Sequence, residues 1–327
     1  MPGGAKGLGF KVKSARSIVV ALTGFCVLAG EALGESGNKP TLTKPTEVFQ
    51  GDIVEVKIPG SGLKAVEGLM GKETIRFYLS DRGHYTALIG ADLEAKPGPA
   101  VVNVTTTSQT GARREIRIPF KVKIKPFKKE SFSVPSEFEQ LAPEVLARIK
   151  KDQEQFSRAF MSSAPERIWE APFLQPVPGD ITSPFGYRRV INGTSRAPHT
   201  GVDLRAPMGS EVFASNHGRV VLLGDFFFSG NSVVLDHGGG LYTVYFHLSE
   251  LKVATGSLVR KGELIGLAGM TGRVTGPHLH WGARLNGARI DPFELIKKLV
   301  GKSEKARETQ EPPKTAEREN GQQRSVE

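Results

Sequence analysis

Two histidines flank one leucine in Thr275-Gly276-Pro277-His278-Leu279-His280-Trp281. Side chains alternate faces along a β-strand, so His278 and His280 would point the same way and Leu279 into a core. Two imidazoles on one face suffice for a zinc ligand and a proton-transfer partner. Gly276 and Pro277 predict a turn ahead of the strand, which suits entry at the floor of a cleft. A second stretch is His199-Thr200-Gly201-Val202-Asp203. Gly201 within it and Pro207 just after argue against a helix, and so against the helical His-Glu-x-x-His pattern. His199 at the end of a loop and Asp203 on a strand can converge with one histidine of the pair, giving two nitrogens and one oxygen. Three protein ligands with one open position describe a catalytic zinc site, whereas structural zinc sites usually close with four. Tyr245-Phe246-His247-Leu248-Ser249 supplies a further histidine, so two imidazoles remain once a metal is satisfied. A lone histidine is ordinarily a satisfied core or surface residue, but six of the seven here fall between residues 199 and 280. His217 and His237 each precede a glycine and read as turn residues. His84, in Asp81-Arg82-Gly83-His84, is assigned no role.

In this order the fragments resemble the lysostaphin-type zinc peptidases, the LytM/M23 family. The resemblance runs from about Gly179 to Asp291. It rests on Ser183-Pro184-Phe185-Gly186, His199-x-x-x-Asp203, Asp236-His237-Gly238, Tyr245-x-His247-Leu248, Gly269-x-Thr271-Gly272 and His278-x-His280. It implies that His199, Asp203 and His280 bind Zn2+ and that His247 and His278 act on the substrate. It also implies the substrate class, since the family contains enzymes for polyglycine bridges and for direct cross-links between peptidoglycan stem peptides. Amide hydrolysis needs a base for the water proton, stabilisation of the oxyanion and a proton for the leaving amine. No glutamate stands in the motifs as base, and imidazole, titrating near ~6.5, can do that work at neutral pH. His278 is assigned as general base and shuttle, and His247 as the group that orients the water or stabilises the oxyanion; the two roles can be exchanged. Some relatives of this fold have lost metal ligands and activate separate cell-wall amidases. A catalytically silent regulator is therefore the rival reading, although all five matched positions remain, and a wall-binding module is a third.

The elements that must hold these residues read as mainly β. Strand candidates are Gly218 to Leu223, Ser232 to Asp236, Leu241 to His247, Leu264 to Ala268 and Leu279 to Leu285, with Gly238-Gly239-Gly240 as a tight hairpin. They predict an antiparallel β metallopeptidase domain over residues 169–301. Phe226-Phe227-Phe228 reads either as a groove rim or as a buried strand end. Arg188 and Arg189 could meet a substrate carboxylate or sit in surface ion pairs, and Asp236 and Asp291 look like turn or cap residues. Residues 128–168 predict a linker, charged over 128–136, with an amphipathic helix from Pro143 whose stripe is Leu146, Ile149, Gln153, Phe156 and Phe160. Core packing is the favoured role of that helix over a gate. Residues 46–127 alternate with period two and carry Gly/Pro turns, which predicts a small Ig-like β-sandwich. Val54, Val56 and Ile58 would face its core, as would Ile116, Ile118, Phe120, Val122 and Ile124.

Length suggests about two domains. Lys6, Lys11, Lys13 and Arg16 before an apolar run from Ser17 to Ala29, with Ala32-Leu33-Gly34 after it, read as a signal peptide over residues 1–34, with an uncleaved anchor as the alternative. This predicts an exported protein of the periplasm or cell envelope. Cys26, the one cysteine, lies inside that run, so cleavage would leave no disulfide, thiolate ligand or thiol nucleophile. Net charge is +10, which suits anionic surfaces such as wall polymer or lipid headgroups and allows envelope contact through a basic strand face. No nucleic-acid motif is visible. Residues 302–327 are polar and charged, and disorder is expected there.

Overall fold

The computed structural model describes residues 47–133 and 142–299. The signal peptide, Cys26 and the charged tail lie outside the described residues. Most of what is described is β, with two helices, α1 (Pro143–Ala159) and α2 (Pro292–Lys298).

The first half is a pair of facing sheets. One sheet orders the strands Glu47–Phe49, Arg113–Lys123, Gly98–Ser108, Leu63–Met70 and Glu73–Arg76; the other orders Ile53–Pro59, His84–Gly90 and Tyr78–Leu79. The period-two pattern does what it must. Val54, Val56 and Ile58 are buried from one sheet and Ile118, Phe120 and Val122 from the other, in one shared core with Ile75 and Val102. Pro119 sits within a strand, opposite Val101. Proline is tolerated where a strand edge has no partner, and the neighbour on the far side pairs only from Lys121 to Lys123. Ile124, expected inside, is exposed because the strand ends at Lys123. His84 opens a strand rather than occupying a turn.

The second half is built on a ten-stranded antiparallel sheet. Its central path runs Ile181–Ser183, Gly201–Leu204, Leu279–Leu285, Leu241–Leu251, Gly230–Asp236, Gly218–Phe226 and Leu258–Val259. One face is the main core: Tyr245, Leu248, Leu279 and Trp281 are essentially inaccessible. Successive residues alternate faces, so Tyr242, Val244 and Phe246 turn to the other side. There they meet Phe156 and Phe160 of α1.

Two features of the connecting segment differ from expectation. Part of its charged portion is a strand, Lys129–Phe132, paired in parallel with Arg188–Ile191. Backbone pairing holds it, reinforced by Phe127, whose ring packs edge-on against Phe185 at 6.1 Å; a reading of side-chain polarity does not register this. Helix α1 also packs more lightly than core packing implies. Leu146 and Gln153 are exposed, Ile149 and Phe156 are half-buried, and only Ala159 is fully buried. The helix instead walls a cleft of about 710 Å³ over the sheet.

The two halves are joined face to face. Ile53 and Leu88 share an apolar cluster with Leu241, Leu285, Ile290 and Leu295. Arg289 forks onto Asp92, with Nη2 to Oδ1 at 2.6 Å and Nε to Oδ2 at 3.0 Å.

Candidate metal centre

The site is set by register. Asp203 lies directly opposite His280, and His280 directly opposite Phe246, so one rung crosses three strands. His199 enters from the loop that precedes Gly201–Leu204. The Nδ1–H of His199 donates to the Pro184 carbonyl at 3.0 Å. Nε2 is thereby left with its lone pair aimed inward. It stands 3.0 Å from Asp203 Oδ1 and 2.9 Å from His280 Nδ1. His280 Nδ1 and Asp203 Oδ1 are 2.9 Å apart. Three donor atoms thus form a nearly equilateral triangle. Gly201 is required for this: a Cβ there would lie 2.5 Å from the Trp281 carbonyl and 2.7 Å from His280 Nε2.

Asp203 is largely buried, which would raise its pKa, but hydrogen bonds from His199 and His280 and their charges outweigh this and hold the carboxyl well below the usual range. Burial lowers the pKa of His280, with Asp203 opposing. The His280 ring is stacked on Phe246, 5.1 Å between centroids and 6° between planes. Its Nε2 is buried with no hydrogen-bond partner. The donor set of two nitrogens and one anionic oxygen fits zinc, and bonds of ~2.0–2.2 Å span a triangle of this size. Among the described residues His199, Asp203 and His280 form a group that can hold one metal ion.

Two more imidazoles face the same corner. His278 Nε2 is 3.7 Å from Asp203 Oδ1, and the His278 ring is 4.9 Å from that of His247. Each spends Nδ1–H on a backbone carbonyl, His278 on Gly276 at 2.8 Å and His247 on Thr271 at 3.0 Å. Each therefore presents the Nε2 lone pair to the site. His247 reaches it through a backbone break. Its φ is +65°, a left-handed value uncommon outside glycine, and its N–H leaves the ladder for the Ser229 carbonyl at 2.9 Å. Without that break it would follow Tyr245 into the core. Burial, with the His280 and His278 charges, lowers the His247 pKa to about 4.

The structure therefore brings together all five residues singled out in the sequence. It leaves the other histidines elsewhere. His237 is buried and bonded through both nitrogens, to the His217 carbonyl and to Thr243 Oγ1, each at 2.7 Å. His217 meets Glu170 at 3.3 Å. Asp236 accepts from Ser163 Oγ and the amides of Ala164 and Gly238, and Asp291 caps α2. Arg188 packs its guanidinium over Phe127. The three phenylalanines divide: Phe226 is buried at the strand end and Phe228 lines the groove. Sequence reasoning missed the carbonyls of Pro184, Thr271 and Gly276 and the stacked Phe246. All four lie inside the quoted motifs, but a backbone acceptor has no residue type to announce it.

A metal centre with an open corner, built across neighbouring strands of an antiparallel sheet and flanked by two uncoordinated imidazoles, defines a metallopeptidase of the lysostaphin type. Peptidase family M23 is matched over residues 197–292, which contain all five site residues. A crystal structure from Pseudomonas aeruginosa assigned to peptidase M23 superposes with a TM-score of 0.62 at 30% identity, over 78% of this chain and 96% of that one. The chain belongs to peptidase family M23. Among curated relatives, the DD-carboxypeptidase/endopeptidase Mpg of Neisseria meningitidis is 49% identical over 116 residues, 35% of this chain and 26% of the relative. The peptidoglycan DD-endopeptidase ShyA of Vibrio cholerae is 38% identical over 145 residues, 44% of this chain and 31% of the relative. The chain thus spans about a quarter to a third of the length of these curated relatives.

Proposed function

We propose that the protein is an exported zinc metallopeptidase that hydrolyses peptide cross-links of bacterial peptidoglycan. The observation that carries this is the triangle of His199, Asp203 and His280, with the lone pairs of His247 and His278 turned towards it. Zinc held by the triangle would supply a Lewis acid that acidifies water and polarises a carbonyl. His247, neutral at pH 7 because burial lowers its pKa to about 4, offers an acceptor that orients the attacking water. With Nδ1–H committed to Thr271 it has no proton to give an oxyanion, so the orienting role is the one its bonding supports. His278 Nε2 takes the water proton and returns it to the leaving amine, with the Gly276 carbonyl bracing the imidazolium through Nδ1–H.

The names of the Neisseria and Vibrio relatives support direct stem-peptide cross-links as the bond cut. Action in the periplasm or cell envelope is the location that this substrate and the signal-like sequence of residues 1–34 support. Among the described residues no helix is long and apolar enough to cross a membrane.

Zinc-loaded protein is expected to release soluble muropeptides from purified sacculi, identified by mass spectrometry, and 1,10-phenanthroline is expected to stop the release. Sacculi left intact by protein of full zinc content would refute the assignment.

A further inference from the structure

The groove does not end at the metal triangle. The cleft at the triangle, about 630 Å³, continues into the cleft walled by α1, and the two share Thr200, Phe228, Ser229 and Phe246 along their boundary. The far cleft is mostly apolar, but one cation lines it. Arg284 stands on the same strand as His280, four residues on, with Gly282 between them. Residues i, i+2 and i+4 share a face, so Arg284 lies roughly 13 Å along the floor from the metal ligand.

Arg284 is half-buried and, among the described residues, its guanidinium forms neither a hydrogen bond nor an ion pair. Its guanidinium carbon lies 4.4 Å from the ring centre of Phe160, the residue that caps the C-terminus of α1. Burial and the neighbouring Arg289 charge pull its pKa below the ordinary value, opposed by Asp92, but an arginine stays charged in any case. A cation over an aromatic face gains less than removing an unpaired charge from water costs. Of the acidic residues that line this cleft, Asp152 accepts the Phe227 amide at 2.8 Å and Glu73 is exposed to solvent. At the metal end the groove is lined by two more arginines, Arg205 and Arg273.

We propose that Arg284 is a specificity-determining residue that binds a free carboxylate of the peptide substrate, anchoring it in the cleft beneath α1. This rests on the peptidase reading given above. An extended peptide advances roughly 3.3–3.6 Å per residue, so the carboxylate lies about three to four residues from the scissile bond, or closer in sequence on a long side chain. Guanidinium and carboxylate match as a two-pronged pair, and the apolar walls formed by Phe156 and Phe160 strengthen it by excluding water.

The test compares a synthetic stem-peptide dimer carrying free carboxylates with the same dimer converted to carboxamides. Equilibrium binding is measured by calorimetry on zinc-loaded and on chelator-treated protein, so that a carboxylate on the metal is told from one on Arg284. The wild-type protein is expected to bind the carboxylate dimer roughly tenfold or more tightly in both forms, the effect of one charge-assisted hydrogen bond. R284Q should erase the difference with zinc content unchanged, R284K should restore part of it, and F160L, which keeps the charge, should retain it. Equal binding of the two dimers by wild type overturns the proposal, and this comparison needs no variant to fold. A preference that survives in R284Q also overturns it, assigning the carboxylate to another cation. If the preference follows Arg284 but neither dimer is cut, the proposal stands and the hydrolase reading fails. If both are cut and bound alike, the reverse holds.

Discussion

The two faces of the strand Leu241–Leu251 put histidine to opposite uses. On the core side His237 donates Nδ1–H to the His217 carbonyl and accepts at Nε2 from Thr243 Oγ1, whose oxygen lies 2.9 Å from Tyr245 Oη. Every polar atom of the imidazole has a partner. On the cleft side His280 leaves Nε2 unpartnered and crowds Nδ1 against two other donor atoms. Both rings are buried and both have lowered pKa values for that reason. What separates a structural imidazole from a ligand is whether its lone pair is already spoken for. Burial does not separate them.

That contrast breaks most visibly at the triangle. His280→Ala or Asp203→Ala should bring bound zinc, read by atomic emission, close to zero and abolish muropeptide release. A variant that keeps stoichiometric zinc would place the metal elsewhere. His278→Ala should keep its zinc and slow release by about 10²–10⁴-fold, the range for a lost general acid–base group. Zinc lost together with activity would make His278 a ligand instead.

On the other face the effect is on folding. His237→Ala should leave zinc bound but lower unfolding free energy by about 2–4 kcal/mol, since it strands Thr243 and opens a cavity beside Phe173. Denaturant melts of the zinc-loaded protein measure this.

The sharpest version is a pH series. Burial lowers the His237 pKa to about 4 from the usual 6.5, the His217 carbonyl opposing. Between those values the unfolded chain binds a proton that the folded chain refuses. The stability from this group is therefore present above pH 6.5 and lost as pH falls towards 4. Linkage puts the loss at about 3 kcal/mol. A His237→Gln variant should show a shallower acid limb; an identical limb would mean another group governs it.

The smallest effect is expected at the junction of the halves. Asp92→Ala removes the fork from Arg289, which lifts the guanidinium pKa and depresses that of the carboxyl. Both groups are partly exposed, so about 1 kcal/mol is at stake. Thermal melts read it, and zinc content should not move.

How much of this the sequence disclosed depended on whether side-chain type carried the information. The period-two strands and the five converging residues were legible because valine, histidine and aspartate declare burial or ligation. The strand Lys129–Phe132 was not, because its partner at Arg188–Ile191 is engaged through the backbone. Nor was the left-handed turn at His247 readable from Tyr-x-His-Leu, although it alone carries that ring out of the core. The apolar stripe of α1 was real, and the core packing it predicted holds at Phe156 and Phe160, whereas the rest of the stripe walls a cleft. Phe156 and Phe160 do reach the sheet, while Leu146 is exposed.

Helix α1 is fastened on both sides. Before it, Lys129–Phe132 is laced to Arg188–Ile191; after it, Ser163 and Ala164 are pinned to Asp236, and the Gly239 amide to the Ala164 carbonyl. The wall it makes is therefore moored at both ends, and Arg148 on Asp225 and Asp152 on the Phe227 amide tie its length to the strand Gly218–Phe226 and the turn after it. For the cross-linked polymer proposed as substrate, the width under this one helix would set the gauge of what reaches the metal centre.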